Sequence, residues 1–217
     1  MWATNDVDGV TVGSCAVDPA NTVTLVHGTL DVDYGTPYTV PLEVANNMLN
    51  VDSESSPNGI NDGEIRLSEA EVSLDLPQAP DVIDGIGAQD GALVEFTVPL
   101  QSISIEPGDS QGILLDIVPA ATTQALASAL GGQLAGGGEA RLIATIRLRG
   151  YRAVSGGKRN EVEAREFEFP IDLCSGCLLD CTPCGGTCAD GAVVGGVCGN
   201  AQDFSVYPAS CAGDTGG

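Results

Sequence analysis

The stretch EARLIATIRLRGYRAV, residues 139–154, alternates apolar and polar side chains almost without a break. Leu142, Ala144, Ile146 and Leu148 fall on one side, and Arg141, Arg147 and Arg149 on the other. A period of two belongs to a strand with one face on a core and one in water. It also fixes the register, because a slip by one residue would bury the arginines and expose the leucines. We therefore expect Leu142, Ile146 and Leu148 inside and Arg147 and Arg149 outside. SGGKRN then turns the chain, and EVEAREFEFPIDL returns as the partner strand.

The same signal recurs upstream, in short runs parted by turn residues. TVTLVHGTLDVDYG reads as one or two strands ending at Gly35, and TPYTVPLEVANN as another, with Pro37 and Pro41 marking an edge or a bend. In EIRLSEAEVSLDLP, Ala70, Val72, Leu74 and Leu76 face one way and Glu71, Ser73 and Asp75 the other. Ile65 and Leu67 are out of phase with that set, which predicts a bulge near Ser68–Glu69. ALVEFTVPLQSISIEPG places Val94, Phe96 and Val98 inward, then Ile103 and Ile105; GILLDIVP places Ile113, Leu115 and Ile117 on one face. A single short helix is expected in PAATTQALASALGG, with Leu126 and Leu130 stacked and Gly131–Gly132 as its stop. The glycines of GGQLAGGGEA form a connector and not a phosphate loop, since no Gly-Lys-Ser/Thr follows.

Strands at this spacing, joined by one helix, fit an all-β fold: a β-sandwich of immunoglobulin or fibronectin-III type. The expected division is an N-terminal arm over 1–20, the sandwich over 21–173 and a cysteine-rich tail over 174–217. Hydrophobic residues make up 43% and aromatic ones 4%, so the core must be built from Val, Ile, Leu and Ala. At 217 residues the chain can bury such a core without help from a metal.

Charge narrows the partners. A net charge of −22 excludes nucleic acid and disfavours anionic membrane surfaces, while an acidic surface attracts cations. Positive charge is concentrated: residues 141–165 hold seven of the eight bases. The plain explanation is cross-strand pairing with Glu161, Glu163, Glu166 and Glu168. The sharper one is a basic edge, with Arg141, Arg147, Arg149 and Arg152, that docks another copy or a protein partner in a ring or filament. No run of about twenty apolar residues offers a membrane span. The opening MWATNDVDGV lacks the basic and apolar regions of a signal peptide. VGSC at 12–15 resembles a lipobox without its upstream apolar stretch.

The tail opens with CSGCLLDCTPCGGTC, which holds five of the eight cysteines in residues 174–188. Zinc knuckles with only three residues between them leave little room to wrap an ion. The spacing misses the ferredoxin pattern by one residue, and the βαβ setting of a thioredoxin motif is absent. Disulfides explain more. Cys174, Cys177, Cys181, Cys184, Cys188, Cys198 and Cys211 lie in a segment too poor in bulky apolar residues to fold by burial. Full oxidation would draw Cys15 into the tail, and that crosslink would be worth ~5 kcal/mol on a chain-entropy model. Disulfides imply an oxidising compartment, extracellular or periplasmic. No cofactor is expected.

Other motifs are weaker. GDSQG at 108–112 has the Gly-x-Ser-x-Gly form, yet it sits between two strands, and the one histidine, His27, lies upstream. Ser110 is thus not expected to be catalytic. NGINDGEIRLSE at 58–69 matches part of a calcium loop, but Ile60 occupies a ligand position; NDVDG at 5–9 is equally incomplete.

Taken together, LDVDYGTPYTVPLEVANNM, EAEVSLDLP, SISIEPGDSQGILLDIVPA, RLIATIRLRGYRAVSG and EFEFPIDLCSGCL resemble a group of uncharacterised, predicted secreted or lipoprotein-type proteins of high-GC Gram-negative bacteria. The resemblance spans roughly residues 21–190 and implies an immunoglobulin-like sandwich with a cysteine-rich end. It implies no activity, ligand or catalytic residue. The expected function is a non-catalytic, exported structural, adhesive or assembly component of the cell envelope or of an extracellular polymer. A small redox or metal-carrying protein using the tail cysteines, and a calcium-dependent binding module, remain the alternatives.

Overall fold

A computed structural model describes residues 26–49, 63–135, 137–154, 158–179, 194–195, 202–203 and 207–208. The N-terminal arm, Cys15, Cys181, Cys184, Cys188, Cys198, Cys211 and both partial calcium loops, apart from residues 63–69, lie outside the described residues.

Among the described residues, ten strands and two helices follow one another as β1 (Gly28–Asp31), β2 (Tyr38–Ala45), β3 (Ile65–Asp75), α1 (Pro80–Gln89), β4 (Glu95–Ile105), β5 (Ser110–Val118), α2 (Ala120–Leu134), β6 (Ala140–Val154), β7 (Lys158–Glu163), β8 (Phe167–Cys174), β9 (Val194–Gly195) and β10 (Tyr207–Pro208). The larger sheet runs β1-β8-β6-β3-β4, with β7 paired to the far end of β6. All its pairings are antiparallel except β1 with β8. A second sheet pairs β2 with β5, and β9 pairs with β10. Inward residues of both main sheets share one apolar cluster: Tyr38, Val40, Ile113, Leu115 and Ile117 from the smaller sheet meet Val72, Leu142, Ile146, Phe169 and Ile171 from the larger. The described residues thus form an all-β, two-layer arrangement, and no helix among them is long and apolar enough to cross a membrane.

Alternation predicts the faces correctly. Leu142, Ala144, Ile146 and Leu148 are buried, and Arg147 and Arg149 lie half-exposed on the other face. The bulge in β3 falls between Leu67 and Glu69, and the register shifts there against both neighbours, β4 and β6. The extra residue puts Leu67 on the same buried side as Ala70, Val72 and Leu74.

Three expectations need correction. The helix after Pro119 does not stop at Gly131–Gly132; it continues to Leu134, and Ala135 N–H bonds back to the Gly131 carbonyl. Leu126, Leu130 and Leu134, spaced by four, keep one apolar stripe on the core, and that burial outweighs the helix cost of two glycines. A second helix, α1, stands where none was expected. Pro80 occupies its first turn, where a missing N–H costs nothing, and Ile83 and Ile86 anchor it to the core. The return from the β6 hairpin is two strands, β7 and β8, in place of one continuous strand.

Candidate functional site

Two regions gather polar chemistry. The first is the outer face of the larger sheet. Register sets Arg147 opposite Glu71 and Arg149 opposite Glu163. Arg149 Nη1 lies 2.8 Å from Glu71 Oε1, and Arg147 Nη1 3.7 Å from Glu71 Oε2. Glu163 takes the Nε atoms of Arg147 and Arg149 at 3.3 and 3.5 Å, which are ion-pair distances without hydrogen-bond geometry. Glu166 pairs with Arg147 Nη2. Further along, Arg141 Nε donates to Asp172 Oδ1 at 2.7 Å, and this partner holds the guanidinium above its ordinary range. Arg152 Nη1 approaches the Met48 sulfur at 3.8 Å. Of the four glutamates expected as partners, Glu163 and Glu166 serve among the described side chains, and Glu71 of β3 joins them. Glu71, Ser73, Glu95, Phe96, Thr145 and Arg147 line an open groove of about 420 Å³ on this face.

The second region joins the tail to the sandwich. Asp31 ends β1 and is fully buried. Its Oδ1 accepts from the backbone N–H of Asp33 at 3.2 Å and of Gly176 at 2.9 Å, and its Oδ2 from that of Leu178 at 3.1 Å. Ser175 Oγ donates to Asp33 Oδ2 at 2.9 Å. Gly176 has φ of 69°, a left-handed conformation that a side chain would strain. Inside this turn Cys174 and Cys177 form a disulfide with Cα atoms 5.9 Å apart. Cys174 is buried at the end of β8, and Cys177 is exposed. One ligand atom each from Asp31, Cys174 and Cys177 lies within 4.8 Å of the others. That trio could hold a thiophilic metal only with the sulfurs reduced, because a thiolate is the ligand. Burial first, then the charges of Asp31 and Asp33, raises the Tyr34 hydroxyl above its ordinary pKa.

Further along the tail, Gln202 and Asp203 return to the sandwich. Gln202 Oε1 accepts from Thr39 N–H at 2.8 Å, and its Nε2 donates to Thr39 O at 2.6 Å. A side-chain amide thus pairs with β2 as a strand's backbone would. The backbone of Gln202 bridges Leu30, and Asp203 N–H donates to Thr29 O at 2.9 Å. Asp203 Oδ1 accepts from Thr29 N–H and from the Tyr38 hydroxyl, both at 2.7 Å. Two residues therefore stitch β1 of one sheet to β2 of the other. Burial raises the Asp203 carboxyl above its ordinary range against the pull of its donors, and burial beside that carboxylate keeps Tyr38 protonated far above its own.

Sequence reasoning placed Cys174 and Cys177 in a staple but missed Asp31, Tyr38, Gln202 and Asp203. Their partners lie up to 174 residues away along the chain, and no local pattern marks them. Ser110 opens β5 opposite Ala45, exposed, while exposed His27 precedes β1 at the far edge of the other sheet. Comparison with known proteins found no matching family model, no matching curated protein and no matching solved structure.

Proposed function

We propose that this protein is an exported, non-catalytic structural component, a rigid β-sandwich of immunoglobulin or fibronectin-III type that serves adhesion or assembly in the cell envelope or an extracellular polymer. The observation that carries this reading is the junction of sandwich and tail. The Cys174–Cys177 disulfide sits on the buried Asp31 clamp, and Gln202 and Asp203 fasten a later part of the tail to the β1–β2 seam. A disulfide beside buried polar contacts, in a segment with little apolar core, suits an oxidising compartment. The resemblance to secreted and lipoprotein-type proteins supports the same location. The proposed partner is a protein, another copy included.

Self-association through Arg141, Arg147, Arg149 and Arg152 remains part of the proposal, with a changed basis. Arg141, Arg147 and Arg149 already meet carboxylates of their own chain, so an assembly contact has to draw on strand edges as much as on charge. The test of location is labelling of intact native cells with a membrane-impermeant reagent. We expect labelling without lysis and cysteines that resist alkylation until reduced. Protein found only after lysis, with its cysteines free, would overturn the reading.

A further inference from the structure

We propose that the Cys174–Cys177 disulfide is a thiol–disulfide exchange site, entered at Cys177 by a dithiol. Three observations point the same way. First, the bond spans a sequence separation of three. So short a loop restrains little of the unfolded chain, and the stabilisation a disulfide brings grows with the loop it closes. Second, the turn is held without it. Asp31 accepts hydrogen bonds from Gly176 and Leu178, on either side of Cys177, and Leu178 is itself buried against Tyr34. Opening the bond therefore leaves the two sulfurs close together and ready to close again. Third, the two sulfurs differ in access: Cys177 is exposed, whereas Cys174 is buried at the end of β8 near the Leu30 carbonyl. A bond that adds little to the fold, sits on a pre-held turn and presents one sulfur to solvent is built to cycle.

Exchange takes two successive displacements at sulfur. A thiolate of the dithiol attacks Cys177 Sγ, forming a mixed disulfide. The Cys174–Cys177 bond breaks, and its electron pair leaves on Cys174 Sγ, which takes up the proton the attacking thiol gave up on ionising. The second thiolate of the dithiol then attacks its own sulfur in the mixed disulfide and releases Cys177, which is protonated in turn. Two electrons and two protons pass from the dithiol to the protein, and the dithiol becomes a disulfide. The reverse sequence reoxidises the protein. The inference rests on the disulfide alone, so its failure leaves the exported scaffold standing.

The test traps the first intermediate in the full chain. Cys174→Ser and Cys177→Ser variants are incubated with glutathione disulfide, and adducts are located by peptide mass mapping, which separates these positions from the other six cysteines. We expect a glutathione adduct at Cys177 in C174S and little or none at Cys174 in C177S. Equal adducts in both variants would overturn the proposal. A second measurement needs no variant. Wild-type protein is treated with limiting dithiothreitol and trapped with N-ethylmaleimide. Cys174 and Cys177 should be labelled before the other cysteines, with the sandwich still folded by circular dichroism. Labelling of this pair last, or only together with unfolding, would show a plain structural staple.

Discussion

Asp31 shows how much one buried side chain can organise. Its carboxylate meets three backbone N–H groups, two of them from the tail. Asp31→Ala would strand those donors, and an unmet buried group costs about 1–3 kcal/mol. We expect a lower urea midpoint for the whole fold, with Asp31→Asn falling between the variant and the wild type because one acceptor oxygen survives. Asp203 gives a prediction of opposite sign to the usual carboxylate. Burial raises its pKa in the fold, so protonation favours the folded state. Its contribution to stability is complete below the unfolded carboxyl range of about 4 and is lost as pH rises through the raised value. Asp203→Asn cannot titrate. Urea midpoints at pH 4 and pH 7 should therefore show the wild type losing ground to D203N as pH rises; the reverse trend would mean that Thr29 N–H and the Tyr38 hydroxyl outweigh burial. Tyr38 remains the protonated donor at both pH values, and nearby His27 acts on Asp203 in the lowering direction.

Among the elements, the bulged strand β3 and its neighbour β6 carry a close approach that only a glycine permits. Gly150 pairs with Leu67 at the bulge, and a Cβ there would run into the Arg66 carbonyl. Overpacking of this kind costs about 1–3 kcal/mol, so Gly150→Ala should lower the urea midpoint. Leu126→Ala on α2 removes a fully buried side chain and should cost about 2–5 kcal/mol by the same measurement. These elements were legible to different degrees. The faces of β3 and β6 and the position of the bulge follow from period two, because a half-buried strand writes its environment into alternate residues. The helix α1 did not show itself: PDVIDGIGAQ has two glycines and only two buried side chains, Ile83 and Ile86, so tertiary packing fixes what propensity leaves open. The end of α2 departs from expectation because its glycines are local signals, whereas Leu134 answers to the core. The clamp on the tail was invisible for a related reason. Asp31 and Gly176 are 145 residues apart along the chain, and a contact that distant leaves no periodic trace.

At the scale of the molecule, the charge map changes meaning once the fold is known. The basic hairpin suggested attraction between copies, yet Arg147 and Arg149 share Glu71 and Glu163, so the outer face is a mixed network. Attraction to another copy would work against the repulsion of a net −22, which salt screens beyond about 8 Å. Light scattering at high protein concentration should show association that persists or strengthens with salt, as contacts through strand edges would. Association that dissolves in salt and in the Arg147→Glu/Arg149→Glu variant would return the contact to the arginines, and a monomer at every salt concentration would end the self-assembly part of the proposal. The proposal stands or falls on the tail, which we expect disulfides to hold in place of a core. Intact mass of natively purified protein after alkylation, with and without prior reduction, counts those disulfides. We expect no alkylation before reduction and eight alkylated cysteines after it, one for each cysteine in the chain. Free thiols outside the Cys174–Cys177 pair, or a bound metal ion that leaves on denaturation, would mean that disulfides do not hold the tail.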